Sequence, residues 1–447
     1  MIYVKKENIK NDKIEAILFL ISIIFLLMMN FVSNEIFKLI LYTSTYLCLT
    51  MNLFYINKFN VMSVPILFTV FHALFIGLCP IFVAIRRNEF YEEQYNLILI
   101  SYFLFCITNY LYIKLKKEET KVPSKEPIHT NTLTLMAVGM TIVGMVSVII
   151  YVSTNFNVLF GGDLEAGRVI ATQGNGLITH LSTLGIMGIC ILFELTLKDK
   201  FKKNYFIVLL ILTMFFNVLS GFRSRLIAIV VLMILIYNKE RKLNIKRILT
   251  IGAILLILIC TLGILRDRLS GVEESSFIST LTATLENGSV NLNRVLEHFP
   301  EKSNYKYGYT YLINIIMLRP GPDLDFTLWL KEEMNMTFSG GGVTPTLVGE
   351  FYINFGYMGA FIGFSLMGII AAYLDRKYEK LDKAYYISVL VWCFLNTTRG
   401  GIANVEISLI LYSLVYFVIM YISKRIDIIP TIKEQGREEY KCQIKKS

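Results

Sequence analysis

The residues best suited to chemistry are four charged side chains that lie beside or inside long apolar segments. Arg223 and Arg225 share the turn GFRSR (221–225), Arg399 lies in TTRGG (397–401), and Glu350 ends GGGVTPTLVGE (340–350). Arginine binds phosphate through paired hydrogen bonds, and a partly desolvated glutamate can act as a base near neutral pH. These residue types predict an anionic substrate and a proton acceptor.

The turn that carries Arg223 and Arg225 is short. Residues 205–237 must cross a membrane twice, yet two full spans need about 40 residues. We therefore expect the turn at or below the outer membrane surface. Within the bilayer core a charged side chain costs at least about 2.5–3.5 kcal/mol. The first interpretation is that the arginines line a water-filled cavity or bind an anion. The alternative is that their side chains extend to the lipid headgroups.

Arg399 is followed by two glycines, which permit a tight turn whose backbone N–H groups can hold an anion. The turn separates two apolar segments within residues 384–423, and Glu406 follows it in the second segment. A structural ion pair between Arg399 and Glu406 is the alternative interpretation.

Glu350 falls about one turn inside the outer end of an apolar segment. Asn354 and Thr346, each four residues away, share its helix face. Gly349 and Gly356 permit the close approach of a neighbouring helix or ligand. A carboxylate inside a membrane is a functional candidate, and the alternative is a glutamate that pairs with an arginine to hold the helices together.

Two further polar stretches lie on the predicted outer side. The loop GGDLEAGR (161–168) contributes Asp163, Glu165 and Arg168, and the turn LRPGPD (318–323) contributes Arg319. Each can belong to a binding site, or they can be a solvated loop and a rigid turn.

Membrane-spanning helices must position these residues. The 447-residue chain is 55% hydrophobic and 17% charged, whereas soluble domains average about 45–50% and about 25%. A water-soluble or disordered protein is thereby excluded. Helices of about 20 apolar residues span a bilayer, and we predict twelve of them. The predicted spans are 14–33, 36–56, 61–85, 95–113, 132–153, 177–197, 205–220, 224–237, 246–265, 346–372, 384–397 and 403–423.

The charges predict an orientation in the membrane. The net charge is +10, and we interpret it as membrane topology instead of nucleic-acid binding. With a cytoplasmic N-terminus, the predicted inner segments hold 30 Lys and Arg residues and the short outer segments hold 7. The positive-inside rule then places both termini in the cytoplasm. Arg86 and Arg87, on the outer side beside several glutamates, are expected to form a solvated cap.

This topology divides the chain into a bundle of about nine helices (1–265), an extracytoplasmic loop (266–345), about three further helices (346–423) and a cytoplasmic tail (424–447). The loop contains a predicted amphipathic helix near 276–298 and tyrosines at 305, 307, 309 and 311. The sequence contains no glycine-rich phosphate loop and no CxxC or HExxH pattern. No nucleotide, metal or other cofactor is therefore expected.

Three of these stretches resemble the oligosaccharide repeat-unit polymerases, the Wzy-like or O-antigen polymerase family of capsule and exopolysaccharide synthesis. GGGVTPTLVGEFYINFGYMGAF (340–361) resembles the region where that family ends its large outer loop. LSGFRSRLI (219–227) is similar to the family's Gly-x-Arg turn, with a second arginine where related turns often carry a small residue. TTRGG (397–401) is similar to its late arginine. The number of spans and the late outer loop also match.

The resemblance implies an all-α polytopic fold similar to membrane glycosyltransferases of the GT-C class, in a bacterial cytoplasmic membrane. It implies transfer of a glycan from one undecaprenyl diphosphate to a sugar hydroxyl of another lipid-linked unit. Arg223, Arg225 and Arg399 would bind the diphosphate leaving group, and Glu350 would be the general base or its positioner. The implied partners are the lipid-linked oligosaccharide, membrane lipid, a chain-length regulator and a flippase, with no nucleic acid.

Seven other polar or aromatic residues are candidate substrate contacts: Asp163, Glu165, Arg168, Arg319, Asn354, Tyr307 and Tyr309. The tyrosines would stack on sugar faces, although tyrosine rings are also common at membrane interfaces. The alternative functions are a flippase for the same lipid, a secondary transporter and an outer-face polysaccharide ligase. A flippase does not need the outer loop, and a transporter should have two related halves, which are not evident. No residue pattern separates a ligase from a polymerase.

Overall fold

The computed structural model describes residues 2–116, 129–160, 167, 170–172, 175–221, 223–244, 246–248, 250–254, 257, 260–261, 264, 276–316, 318, 324–338, 341–381 and 383–426. Within these ranges the regular secondary structure is helical and no strand occurs. The helices of the first half are, in chain order, α1 (Ile2–Met29), α2 (Glu35–Ile56), α3 (Val64–His72), α4 (Cys79–Arg87), α5 (Glu92–Leu115), α6 (Thr130–Thr154), α7 (Phe156–Phe160), α8 (Gly176–Leu181), α9 (Leu184–Leu197), α10 (Lys203–Leu219) and α11 (Arg223–Arg241). Those of the second half are α12 (Phe277–His298), α13 (Thr310–Ile316), α14 (Phe326–Glu333), α15 (Thr346–Lys380), α16 (Ala384–Gly400) and α17 (Glu406–Arg425).

Seven helical segments among the described residues are long and apolar enough to span a membrane: α2, α3 with α4, α5, α6, α8 with α9, α15 and α17. The π-helical turn Ala73–Gly77 joins α3 to α4 within one such segment. The chain is therefore an all-α, multi-pass membrane protein. Helices α1, α10, α11 and α16 coincide with further predicted spans, and much of the predicted span 246–265 lies outside the described residues. The total of twelve spans stays a prediction.

Two apolar clusters hold the helices together. The larger one joins α2, α3, α5, α15 and α16, with α12 and α14 from the predicted outer loop. The smaller one joins α6, α9, α11, α16 and α17. Many Ile, Leu, Val and Phe side chains of α2, α6, α10 and α17 remain about half exposed, as expected for faces that contact lipid.

The predicted outer loop contains the expected amphipathic helix, and the structure places it at α12 (Phe277–His298). Ser276 and Ser279 cap its N-terminus reciprocally. The helix packs against α4 and the π-helical turn: a Cβ atom on Gly288 would lie 2.0 Å from the carbonyl oxygen of Phe75. The loop helix is thus held directly against the membrane helices.

Helix α15 is kinked. Phe355 and Gly356 have non-helical backbone angles, and Gly356 has φ +63° and ψ −153°. A Cβ atom at Gly356 would lie 2.9 Å from the hydroxyl of Tyr305. The glycine permits a backbone conformation that was not predicted. It also permits a close approach, which was predicted for a helix or ligand and is made by a loop tyrosine. Below the kink the helix continues to Lys380, about two turns beyond the predicted end of the span.

Candidate functional site

Glu350 lies in the second turn of α15 and is fully buried, with 0% of its surface exposed. Its carboxylate accepts hydrogen bonds from the backbone N–H groups of Ile402, at Oε2, and Ala403, at Oε1 and 3.0 Å. The hydroxyl of Thr310 also donates to Oε1, at 3.4 Å. In the part of the chain that the structure describes, no arginine reaches this carboxylate. Backbone amides hold the carboxylate in place. The predicted alternative, an ion pair between Glu350 and an arginine, is not observed among these residues.

The turn that binds Glu350 is the glycine turn after Arg399. Gly401 has φ +84°, in the region that favours glycine. A Cβ atom at this position would lie 2.3 Å from Oε2 of Glu350. The turn was predicted to hold an anion on its N–H groups, and the anion found there is the protein's own carboxylate. The predicted last span begins at 403, but α17 begins only at Glu406, because residues 401–405 form this turn.

Asn354 connects the outer loop to the same site. At the kink of α15, the N–H groups of Lys306 and Tyr307 donate to the carbonyl oxygens of Ile353 and Asn354, at 2.9 and 3.0 Å. The N–H of Gly308 donates to Oδ1 of Asn354 at 2.8 Å. The loop segment 306–308 therefore binds backbone and side-chain acceptors at the interruption of the helix.

The amide of Asn354 completes this network. Its Nδ2 donates to the hydroxyl of Thr310 at 2.7 Å and to the carbonyl oxygen of Glu350 at 3.0 Å. The side chains of Thr346, Glu350 and Asn354 are all buried, as their shared helix face predicts. Thr346 has φ +66°, an unfavourable conformation for a β-branched residue. Such strain at the start of α15 is typical of functional sites.

Arg225 lies in the first turn of α11, and its guanidinium donates to the carbonyl oxygen of Thr179 at 2.8 Å. It also interacts electrostatically with Tyr412 on α17. The guanidinium of Arg225 thus lies between the segment around Thr179 and α17. The position of its turn below the membrane surface stays a prediction.

Arg399 lies in the last turn of α16 and is exposed. The structure brings it next to the turn that holds Glu350, without direct contact between Arg399 and Glu350. Among the described residues there is no ion pair between Arg399 and Glu406, so that predicted alternative is not observed either.

Several predicted site residues lie outside the described residues. These are Asp163, Glu165, Arg168 and Arg319, together with the side chain of Arg223, of which only the backbone is described. Their roles remain predictions.

Tyr307 and Tyr309 lie on the loop segment attached to the kink. They are 74% and 45% exposed. The ring of Tyr307 packs edge-on against Phe355 at 6.4 Å between centroids, and that of Tyr309 packs against Trp329 at 5.9 Å. The tyrosines therefore belong to an exposed aromatic surface on the loop segment that is hydrogen bonded to Asn354. Sequence analysis had not connected this surface with Phe355 or Trp329.

Arg86 and Arg87 do not form the solvated cap that was expected. Both pair with Glu286 of α12, at 2.7 Å from Arg86 Nη1 and 2.9 Å from Arg87 Nε. The Glu286 side chain is only 2% exposed, whereas the two arginines are about half exposed. The interpretation failed because the partner lies about 200 residues away in the sequence and no local pattern indicates it.

Three further residues complete the Glu350 site: sequence analysis missed Thr310 and Asn314, and it assigned Tyr311 only to the tyrosine run. Thr310 and Asn314 belong to α13, and Asn314 donates to the carbonyl oxygen of Ala403 while accepting from the N–H of Phe326 at 2.8 Å. Tyr311, between them, interacts electrostatically with both Glu350 and Glu406. The only available signal was the tyrosine run itself, which had been interpreted as a sugar-binding surface.

The arrangement combines the desolvated carboxylate of Glu350, an exposed aromatic surface and two arginines, Arg225 and Arg399. Such a site suits an amphiphilic substrate with sugar, anionic and lipid parts. The described residues contain no group of three or more His, Cys, Asp or Glu side chains that could hold a metal ion.

Comparison with known proteins gives one match. A family model described as O-antigen polysaccharide polymerase Wzy matches residues 14–427. No curated protein and no solved structure matches the chain.

Proposed function

The chain belongs to the O-antigen polysaccharide polymerase Wzy family, and from this premise we propose that it joins oligosaccharide repeat units at the outer face of a bacterial cytoplasmic membrane. The substrate is an oligosaccharide on undecaprenyl diphosphate. The glycan of one lipid is transferred to a sugar hydroxyl of another. Twelve spans, a GT-C-like arrangement and two cytoplasmic termini are part of this proposal.

The observation that carries the proposal is the convergence of loop and membrane helices on Glu350. Backbone amides of one turn and a hydroxyl of α13 fix its carboxylate. The exposed rings of Tyr307 and Tyr309 belong to the loop segment bound to Asn354, and Arg399 precedes the turn that binds Glu350. A lipid-linked sugar diphosphate needs a site with three successive parts. The sugar lies outside the membrane, the diphosphate at the membrane boundary and the prenyl chain in the bilayer.

In the proposed reaction, the acceptor hydroxyl attacks the anomeric carbon of the donor glycan and gives its proton to a base. The bond from that carbon to the diphosphate oxygen breaks, and its electron pair leaves with the lipid diphosphate. Arg399 and Arg225 stabilise the charge of the leaving group. Arg223, in the same turn as Arg225, and Arg168 and Arg319 are further candidates for this role.

Two roles were expected for Glu350, general base and positioner. Each carboxylate oxygen already accepts at least one hydrogen bond from a backbone amide, which favours the positioning role. Glu350 fixes the turn between Arg399 and α17 relative to the aromatic surface. Asn354 fixes the loop segment 306–308 relative to α15 by accepting hydrogen bonds from its backbone N–H groups.

The test uses purified protein with an undecaprenyl-diphosphate-linked oligosaccharide and no nucleotide or added metal. A polymerase gives a ladder of products on a gel. A flippase moves the lipid across vesicles without a ladder, and a ligase gives a single product on a different acceptor. Either of these two results would contradict the proposal.

The arginine roles are tested in the same assay with Arg225→Ala and Arg399→Ala. Loss of leaving-group stabilisation should reduce the transfer rate by about 10²-fold or more. Arg294→Ala, an exposed arginine on α12, is the matched control and should keep the wild-type ladder. Full-length polymer from both site variants would refute the arginine assignment.

A further inference from the structure

The Glu350 site contains a second buried carboxylate. Glu406 begins α17, four residues beyond Ile402, and its N–H donates to the carbonyl oxygen of Ile402 at 3.0 Å. The turn that binds Glu350 therefore also positions Glu406. The two carboxylates interact electrostatically with each other, which places both in one desolvated cluster.

The two carboxylates differ in their hydrogen bonding. Glu350 is 0% exposed and both its oxygens are hydrogen bonded. Glu406 is 8% exposed, and its Oε1 is buried without any hydrogen-bond partner. A buried carboxylate oxygen without a donor is costly. A catalytic role, or a donor from a ligand or water, is the usual explanation for such an atom.

Tyr311 is the third member of the cluster. Burial raises the pKa of its phenol, the negative charges of Glu350 and Glu406 raise it further, and a hydrogen bond with Asn354 opposes this shift. The phenol thus stays protonated and can act as a donor beside both carboxylates. It comes from α13, whose neighbouring Thr310 contacts Glu350.

We propose that Glu406 is the general base of the polymerisation, and that its uncommitted Oε1 accepts the hydroxyl proton of the acceptor sugar. This inference rests on the proposed function. As the new bond from the acceptor oxygen to the anomeric carbon forms, the bond to the diphosphate oxygen breaks and the proton passes to Oε1. The donor lipid leaves as its diphosphate, and Glu350 keeps the turn in place throughout.

The alternative is a purely structural role for Glu406, and the buried Oε1 without a hydrogen-bond partner argues against that role. A structural carboxylate would be expected to use both oxygens on partners within the protein. Replacing Glu406 with glutamine removes a buried charge next to Glu350 while keeping the shape. The folded protein should therefore be as stable as the wild type or more stable.

The test is Glu406→Gln in the polymerisation assay, with Glu332→Gln, an exposed carboxylate of α14, as the matched control. We expect the transfer rate of Glu406→Gln to fall by about 10²-fold or more. Its thermal stability and its binding of the lipid-linked oligosaccharide, measured by a ligand-induced shift of the Tm, should be retained. Glu406→Asp, which keeps a carboxylate, should recover part of the rate.

Different failures have different meanings. If the wild type makes no ladder, the proposed function itself fails. If the wild type makes a ladder and Glu406→Gln makes it at a similar rate, Glu406 is not the base. A Glu406→Gln protein that does not fold also overturns the inference, because the carboxylate is then structural.

Discussion

At the scale of single residues, the tightest fit in the site is between Gly401 and the carboxylate of Glu350. We expect Gly401→Ala to abolish polymer formation, because its Cβ atom would lie 2.3 Å from Oε2 of Glu350. The backbone at φ +84° and ψ −176° adds a strain of about 1–3 kcal/mol for any other residue. Polymer length in cells and the amount of folded protein together measure this effect.

Gly139→Ala is the matched control, since a Cβ atom at Gly139 in α6 meets nothing within 4 Å. It should leave both polymer length and protein level unchanged. Normal polymer from Gly401→Ala would mean that the carboxylate need not occupy the turn.

At the scale of helices, the pairing of Glu286 with Arg86 and Arg87 ties α12 to α4. Glu286→Gln would leave two half-exposed arginines without this partner, and we expect a local destabilisation of about 1–2 kcal/mol. Hydrogen exchange of α12 in detergent should become faster. Glu297→Gln on the exposed side of the same helix should leave the exchange rate unchanged. Equal exchange rates in the two variants would mean that the pairing of Glu286 with Arg86 and Arg87 does not stabilise α12.

Glu333 connects α14 to the loop segment that carries the tyrosines. Burial raises the pKa of its carboxyl, but hydrogen bonds from Lys306 and Ser303 and the charge of Lys306 outweigh burial and lower it. A folded-state pKa below the ordinary value stabilises the protein above that value, about 4.3. This stabilisation is lost as the pH falls through the folded-state pKa.

Trp329 can report this change, because the Lys306 ammonium lies 5.5 Å from its ring centroid. In a Trp392→Phe background, Trp329 is the sole tryptophan. We expect its emission to stay constant from neutral pH down to about pH 4.3 and to change only below. Glu333→Gln should show the altered emission already at neutral pH, and Glu332→Gln should not. An identical titration in all three proteins would contradict the assignment.

At the scale of the whole molecule, the account requires that α12 to α14 face outward. In a cysteine-free background, a cysteine at exposed Glu301 should react with a membrane-impermeant maleimide in intact cells. A cysteine at exposed Lys200, between α9 and α10, should react only after permeabilisation. The reverse pattern would invert the topology and remove the site from the outer face.

Much of the fold could be predicted from sequence, because the length of an apolar segment decides whether it spans a bilayer. The predicted positions of α2, α5, α6 and of α8 with α9 therefore agree closely with the structure, and α15 begins at its predicted residue but ends later than predicted. The predicted start of the final helix was wrong by three residues. Residues 401–405 are mostly apolar or small, but they fold as the turn around Glu350.

The site was predicted only in part. Glu350 and Asn354 share one helix face, a local property that spacing reveals. Thr310 and Ala403 reach Glu350 across 40 and 53 residues of sequence, and no periodicity encodes such contacts. Glu406 was noticed only as a partner for Arg399, because its unpaired oxygen is visible only in the folded chain.

The role of Glu350 is tested by comparing the wild type with Glu350→Gln on the undecaprenyl-diphosphate-linked oligosaccharide in proteoliposomes. A glutamine would turn an NH₂ group toward the N–H of Ile402 or Ala403 and leave one of them unpaired, so the turn should lose its shape. We expect a ladder from the wild type and from Glu332→Gln, and at most traces from Glu350→Gln. A full ladder from Glu350→Gln would contradict this role.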